Sequence, residues 1–560
     1  MREGIERPLV VESDLTVLLD VSKGGAEEAK DKLIRFADAV SRAGVIHSYR
    51  MTPLSLWQSA AAGISADDIL GWLSEHARYE LPLQAEVTIR RLMGRYGKLH
   101  LITRDGKLFL EGDHQLMEEL YVHPSVAEWV RENTESKVLE IKEGCRGLIK
   151  QELTRLGFPV MDLAGYLAGE ELVVQIRSQT VQGKMFALRD YQKAAVELIA
   201  AVGTIQGGSG VVVLPCGAGK TIVGIAALAK ISSATLILTS NMTSVKQWRD
   251  ELLDKTSLTD SEIGMYCGAL KQVRPVTIAT YSILTHRKSK DESFAHMKLF
   301  SERDWGLIIY DEVHLLPAPV FRRTADIQAT RRLGLTATLV REDGYAEDVY
   351  SLIGPKLFDM QWKTAEAGSH IAVVSCTEIR VPLQRDKKEQ YREASARSKL
   401  RIAAENPDKI AIVQRLLNEH AGKPTLIIGQ YLAQLHEIGD RLKAPVLTGA
   451  VPQQERQRLY ERFKAGDIPV LIVSKVANFA VDLPDASVAI QLSGSFGSRQ
   501  EEAQRIGRLL RPKLGHNSAW FYTLVTDETK EMEFAMRRQL FMLEQGYHYE
   551  RLHWTHTEHA

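Results

Sequence analysis

The sequence predicts an α/β protein: two tandem domains, each a parallel sheet covered by helices, with smaller accessory domains before them. Three observations carry that expectation. At 560 residues the chain exceeds the roughly 250 to 300 at which a single hydrophobic core stops growing, so several domains are required. From about residue 205, apolar β-branched runs alternate with amphipathic segments: GVVVLP then KTIVGIAALAK, ATLILTS then VKQWRDELL, then VTIAT, WGLIIYDE and RRLGLTAT. Short runs that are apolar on both faces and separated by helices suit a parallel sheet between helical layers. A second series follows in KPTLIIGQ, LAQLHEIGDRLK, APVLTG, QERQRLYERFKAG, IPVLIVS and ASVAIQL, and it predicts the second sheet.

In chain order, residues 1–115 are expected to form a small mixed domain, with LTVLLDV and KLHLITRDGKLFLEG as strand candidates. Residues 116–180 form another compact α/β unit ending in EELVVQIRS, residues 181–365 the first large domain, 366–548 the second, and 549–560 a tail. Between the two series lies a polar stretch of helical propensity, LQRDKKEQYREASARSKLRIAAENPDK, spanning about 384–405. Its basic residues Arg385, Lys387, Lys388, Arg392, Arg397, Lys399 and Arg401 outnumber Asp386, Glu389 and Glu393. On charge alone this reads as a solvated linker helix.

Composition is that of a globular protein, with 44% hydrophobic and 25% charged residues, and no stretch approaches the roughly 20 apolar residues that span a bilayer. The opening MREGIERPLVVESD lacks the apolar core of a secretory signal, so a cytoplasmic location and no membrane partner are expected. Cys145, Cys216, Cys267 and Cys376 lie far apart, without zinc-site spacing or the density of a disulfide framework. Lys plus Arg and Asp plus Glu both number 71, so net charge gives no sign of a polyanionic partner. It does not exclude one, because a nucleic-acid groove needs only local basic and aromatic side chains.

The strongest local motif is VVVLPCGAGKTIVGIAALA: a buried strand, a glycine turn and a helix. Gly217 and Gly219, with Ala218 between them, let backbone N–H groups converge on phosphate oxygens. Lys220 then reaches the β and γ phosphates, and the Thr221 hydroxyl suits magnesium, so ATP with magnesium is the expected cofactor pair. Leu214 stands where the strict phosphate-loop pattern has glycine. In WGLIIYDEVHLL an apolar strand ends in adjacent carboxylates. Asp311 is placed to hold magnesium through water, and Glu312 to orient and deprotonate the attacking water, which implies hydrolysis as well as binding. In EEAQRIGRLLRP, Gln504, Gly507, Arg508 and Arg511 fall at i, i+3, i+4 and i+7 and share one helical face. With an ATP site in the other domain, Arg508 and Arg511 read as arginine fingers.

LPCGAGKT, DEVH, GLTAT and QRIGRLLR stand in the order and spacing of superfamily-two helicases, and the chain most closely resembles the XPB family of DNA translocases. That resemblance covers about residues 185–550 and rests on DEVHLLPAPVFR, on GLTATLVREDG, on SKVANFAVDLPDASVAIQLSGSFGSRQEEAQRIGRLLRP and on DETKEMEFAMRRQLFMLEQGY. It implies two RecA-like domains with ATP in the cleft between them. Within LRDYQ, Arg189 and Gln192 resemble the adenine-reading motif, although Asp190 replaces the usual proline. Thr239 with Ser240 and Thr280 with Tyr281 resemble strand-contacting motifs; Thr336 and Thr338 resemble the motif that couples hydrolysis to movement, and His314 of DEVH is assigned to the same DNA-binding or coupling set. Arg341, Glu342 and Asp343 resemble the family's RED loop. Asp482 matches the fifth motif, whereas VANFAVDLP around Asn478 and Phe479 departs from the common VGDTSIDLP.

The basic segment sits where the family inserts its thumb, which assigns Lys387, Lys388, Arg397 and Lys399 to DNA contact. Residues 116–180 sit where the family has its damage-recognition domain. The resemblance further implies a monomeric three-prime to five-prime motor on duplex, forked or single-stranded DNA, a role in nucleotide excision repair, and a nuclease or other repair protein as partner. Two alternatives differ in the residues they need. A restriction or remodelling motor shares the general motifs but not the RED loop or the C-terminal helix. A scaffold with a dead nucleotide site does not require the intact set Lys220, Asp311, Glu312, Arg508 and Arg511.

Overall fold

Strands Ser209–Val213, Thr235–Thr239 and Val276–Thr280 are buried along their whole length, and Leu307–Asp311 is buried except for its terminal carboxylate residue. These are the apolar runs of the first series, and they pair into an eight-stranded sheet. The computed structural model describes the chain apart from residues 1–6, 42–44, 134–137, 201–207, 269, 288–293, 317–318, 321–323, 325–326, 328–329, 338–345, 475–485, 494–505, 508, 510–516, 546, 548 and 556–560. It divides into two units, one of residues 1–213 with 221–359 and one of residues 214–220 with 360–560.

In the first unit the eight-stranded sheet runs Leu270–Lys271, Ile263–Cys267, Val276–Thr280, Thr235–Thr239, Leu307–Asp311, Arg331–Thr336, Ser209–Val213, Lys356–Asp359. Every pairing is parallel except that of the two-residue edge strand. The parallel strands Ser209–Val213, Thr235–Thr239, Val276–Thr280, Leu307–Asp311 and Arg331–Thr336 therefore end on one edge. That is the edge where open α/β sheets hold ligands.

The accessory part of this unit has two further sheets. One has four strands between Leu9 and Arg50, covered by helices Pro53–Ala61, Ala66–His76 and Leu83–Met93. The other has five strands between Leu99 and Asp162, with helix Arg146–Arg155 packed on it. The candidate strands at 99–104 and 107–111, grouped by sequence with the first 115 residues, pair here with strands further along, so the sheet boundary falls between Met93 and Leu99. The reason is register: Leu101 and Leu110 face each other in the second core, which also takes Leu139 and Leu153.

Asp162 ends that sheet almost fully buried, with Arg146 at 2.6 Å and Lys150 at 2.9 Å. Burial pushes its carboxyl up, but Lys150 and Arg146 outweigh this and hold it well below the usual carboxylate range, while burial pulls Lys150 down to about 8. Removing the carboxylate strands two buried cations. Asp162→Asn is expected to cost about 3 kcal/mol, read as a lowered urea midpoint. A depressed carboxyl contributes stability above its unfolded value near ~4 that is lost as pH falls through the folded value, so the difference between variant and native should shrink at acid pH.

In the second unit seven parallel strands run Val446–Leu447, Val470–Ser474, Thr425–Gly429, Val488–Gln491, Ser518–Thr526, Val373–Val381, Tyr549–His553. Residues 549–553, expected as a tail, form the edge strand beside Val373–Val381. The basic segment folds as two helices, Arg385–Glu393 and Ala396–Ala404, the second capped by Ser395. None of the first helix's residues is buried. Lys388 pairs with Glu528 at 2.7 Å, the Tyr391 hydroxyl accepts from the Lys530 amide at 2.8 Å, and Lys399 lies 5.6 Å from the Tyr391 ring centre. Lys387 donates to its own-helix neighbour Gln390, and Arg397 is exposed.

Candidate active site

Two glycines shape the phosphate loop. Gly217 and Gly219 have φ of 84° and 83°, a region closed to most side chains, and between them Ala218 is buried. The Ala218 amide donates to the Pro215 carbonyl at 3.2 Å, and helix Lys220–Ile231 begins directly after Gly219, so the loop stands at a helix N-terminus, which favours an anion. Lys220 Nζ lies 4.0 Å from Cys216 Sγ. In the same unit the Gly507 backbone lies against Cys216, so close that a Cβ at Gly507 would stand 2.5 Å from Sγ. Ile506 and Leu509, on either side of this contact in sequence, are fully buried.

The carboxylate pair ends strand Leu307–Asp311 in the first unit. Asp311 Oδ2 accepts from the Trp248 indole at 2.9 Å and from Thr239 at 3.4 Å, and its backbone carbonyl accepts from the Tyr281 hydroxyl at 2.9 Å. Glu312 takes φ 51° and ψ 55°, left-handed without being glycine. Such a conformation costs on the order of 1 kcal/mol and persists only where its surroundings impose it, which is common at reacting centres. Glu312 Oε2 lies 3.5 Å from His314 Nδ1, which is also 2.7 Å from Thr336 Oγ1. Glu312, His314 and Thr336 thus form one chain from a half-buried carboxylate to a fully buried hydroxyl at the end of the neighbouring strand.

The residues expected to contact nucleic acid in this unit divide by exposure. Thr239, Thr280 and Tyr281 are buried, and two of them hold Asp311; Ser240 alone of the four is half-exposed. Thr280 caps helix Tyr281–Leu284. Gln192 is buried in helix Asp190–Ala200 and accepts from the Arg189 amide at 2.9 Å, while the Arg189 guanidinium donates to Tyr191 at 3.2 Å. Thr221 is half-exposed in the first turn of the phosphate-loop helix. Thr338, Arg341, Glu342, Asp343, Asp482, Gln504, Arg508 and Arg511 lie outside the described residues. Sequence reasoning missed Trp248. In VKQWRDELL it has the spacing of a core residue, and only the sheet order reveals that its N–H meets Asp311.

A family model described as ERCC3/RAD25/XPB C-terminal helicase matches residues 365–559. A protein of Kineococcus radiotolerans named DNA 3'-5' helicase XPB is 48% identical over 544 residues, covering 97% of this chain and 96% of its own length. The chain belongs to the XPB family of DNA helicases. Its Mycobacterium tuberculosis relative of the same name is 46% identical, with 97% of each chain covered. In Saccharomyces cerevisiae, the general transcription and DNA repair factor IIH helicase/translocase subunit XPB/SSL2 is 31% identical over 97% of this chain and 71% of its own. Two more family models match, one described as type III restriction enzyme, res subunit, at residues 185–341, and one as helicase conserved C-terminal domain at residues 9–135. The XPB match spans the C-terminal region, where a restriction motor would differ. Nucleotide use and a DNA substrate follow from membership of this helicase family. Among the described residues, no helix is long and apolar enough to cross a membrane.

Proposed function

We propose that this chain is an ATP-driven, three-prime to five-prime DNA translocase that separates strands in excision-type DNA repair, with a nuclease or other repair protein acting beside it. The observation that carries this reading is the chain Glu312–His314–Thr336 at the strand ends, because it joins the hydrolytic carboxylate to the motif expected to move with it. A nucleotide-binding scaffold needs no such relay. The polarity and the repair role rest on the relatives' names, 3'-5' helicase and DNA repair factor helicase/translocase.

The oxygen donors fit magnesium, a hard cation that takes carboxylate and hydroxyl oxygens and keeps part of its water shell. Thr221 and Asp311 would hold it, and when bound it neutralises charge on the phosphates. The chain's own residues do the rest. The loop amides and Lys220 orient the γ-phosphate, Glu312 holds the attacking water and takes its proton, and Arg508 and Arg511 add positive charge as the domains close. Arg189 and Gln192 select the base, and the fifth-motif residue Asp482 belongs to the same site.

DNA is gripped outside this site. The two helices Arg385–Glu393 and Ala396–Ala404 bury little and display Lys387, Lys388, Arg397 and Lys399, as a backbone-tracking thumb requires. Ser240 and the loop Arg341–Glu342–Asp343 complete the contact, and the loop follows Thr336 and Thr338 closely enough in sequence to turn a change at ATP into force on the duplex. Replacing the four thumb cations together by glutamine is expected to weaken DNA binding on every sequence. Each lost duplex-phosphate contact should also flatten the slope of log K against log salt by about 0.9. Basal ATPase without DNA should stay within about twofold of native, and Arg341→Ala should slow strand separation more than hydrolysis. The test is a salt titration of DNA binding with parallel ATPase and strand-displacement rates on three-prime-tailed and five-prime-tailed duplexes. An unchanged salt slope returns the segment to a solvated hairpin, and displacement of five-prime-tailed substrates alone rejects the polarity.

A further inference from the structure

Trp248 sits in helix Met242–Lys255, which begins directly after Ser240 and Asn241, and it is 1% exposed. Its indole does two things at once. The N–H donates to Asp311 Oδ2 at 2.9 Å. The far edge of the ring lies over Gly224 in the phosphate-loop helix, where an added Cβ would stand 2.5 Å from Cη2. Leu335, in the strand that ends at Thr336, would stand 3.1 Å from the same Cβ. A buried tryptophan needs one acceptor for its N–H, and a backbone carbonyl would serve. Here the acceptor is the carboxylate read as the magnesium ligand, and a bond to a charged acceptor is roughly twice as strong as a neutral one.

We infer that Trp248 is a positioning residue: it fixes the plane of the Asp311 carboxylate for the metal and references it to the phosphate-loop helix through Gly224. The contact has three supports of different chemistry. The indole and Thr239 hold Oδ2, Tyr281 holds the Asp311 carbonyl, and the absence of a side chain at residue 224 lets the ring approach. Rotation of the carboxylate about its own axis is what the N–H prevents, since the strand already fixes the backbone. Helix Met242–Lys255 is capped by Asn241, whose side-chain oxygen accepts from Ser244 at 2.9 Å and whose amide nitrogen donates to Ser240 at 3.0 Å. The same helix therefore carries Asp311's tether and starts at the proposed strand-contact segment.

This inference rests on Asp311 being the magnesium carboxylate, so the two are tested side by side in the full-length protein. ADP binding is measured by calorimetry with and without magnesium for the native chain, Asp311→Asn and Trp248→Phe, together with kcat and KM for ATP. Phenylalanine keeps a ring over Gly224 and removes the N–H. The expected result for Trp248→Phe is metal-free ADP affinity within about twofold of native, a magnesium-dependent gain in affinity cut about tenfold, and kcat reduced at least tenfold with KM changed much less. A native magnesium response in Trp248→Phe, with that response lost in Asp311→Asn, overturns the inference and leaves the site reading intact. A native response in Asp311→Asn overturns the site reading itself. Equal loss of metal-free and metal-dependent binding in Trp248→Phe would mean a packing role only and also overturns the inference. Should Trp248→Phe fail to fold, Gly224→Ala carries the test. Its methyl displaces the ring without deleting the N–H, and a folded Gly224→Ala with native magnesium response rejects the proposal.

Discussion

Lys220→Ala and Glu312→Gln are each expected to reduce ATP turnover below a few per cent of native, and they should do so in different ways. Lys220 is the first residue of its helix, and in the proposed site its ammonium and the loop amides would meet the β and γ phosphates. Truncating it removes charge from both the bound state and the transition state, so nucleotide affinity and kcat should fall together. Glu312→Gln keeps the shape, turns one acceptor oxygen into a donor NH2 and loses the base. General-base removal typically costs about 10²- to 10⁴-fold, and the loss should appear in kcat with ATP affinity preserved. Gln is also neutral beside His314, so the 3.5 Å approach of Glu312 to His314 loses its charge while His314 keeps Thr336 at 2.7 Å. ATPase rates and equilibrium binding of nucleotide by both variants check this. Turnover above a few per cent in either would show that hydrolysis occurs elsewhere.

The sheets were legible because their strands are apolar on both faces. VVV and TLILT, each followed by a helix, and the equally apolar VTIAT and LIIYD can be little else, and all four are buried strands of one sheet. The basic segment was legible as helical because it is rich in Lys, Arg, Glu, Gln and Ala, and Ser395 breaks it into two helices by capping the second. The accessory boundary was not legible. Strands Leu99–Arg104 and Lys107–Glu111 alternate as half-buried strands do in any sheet, and nothing local says which partner they take. The edge strand Tyr549–His553 carries mostly exposed side chains, so it lacks the apolar run that marks an interior strand.

Within the candidate site, single residues could be picked out by local chemistry, and relations across the sheet could not. The glycine turn, Lys220 and the Asp311–Glu312 pair follow from local chemistry. Trp248 and Asp311 are far apart in sequence and meet only because Thr235–Thr239 and Leu307–Asp311 are neighbouring strands. The same holds for Thr239 and Tyr281, whose motifs suggested contact with a nucleic-acid strand and whose hydroxyls reach Asp311 instead of an open face in this structure. A shift in either loop is felt by the carboxylate residue directly, because both hydroxyls bond Asp311.

Arg508→Ala and Arg511→Ala are expected to lower kcat by about three orders of magnitude each while ATP binding weakens far less. Both lie outside the described residues, so the case rests on pattern and on their neighbours. In QRIGRLL the apolar positions Ile506 and Leu509 are fully buried, and by helical spacing in the sequence Gln504, Gly507, Arg508 and Arg511 share the other face. Gly507 belongs to that opposite face, and its backbone rests on Cys216 of the phosphate loop. A side chain at residue 507 would push the two segments apart. A guanidinium that meets the γ-phosphate only as charge moves onto the leaving oxygen stabilises the transition state and not the ground state. Lysine at either position keeps the charge but loses the fork of donors, and should restore little. The measurement pairs kcat with nucleotide affinity in both alanine variants and both lysine variants. Equal losses of binding and turnover would mean that the arginines serve ordinary ground-state binding, and full rescue by lysine would reduce their role to charge alone.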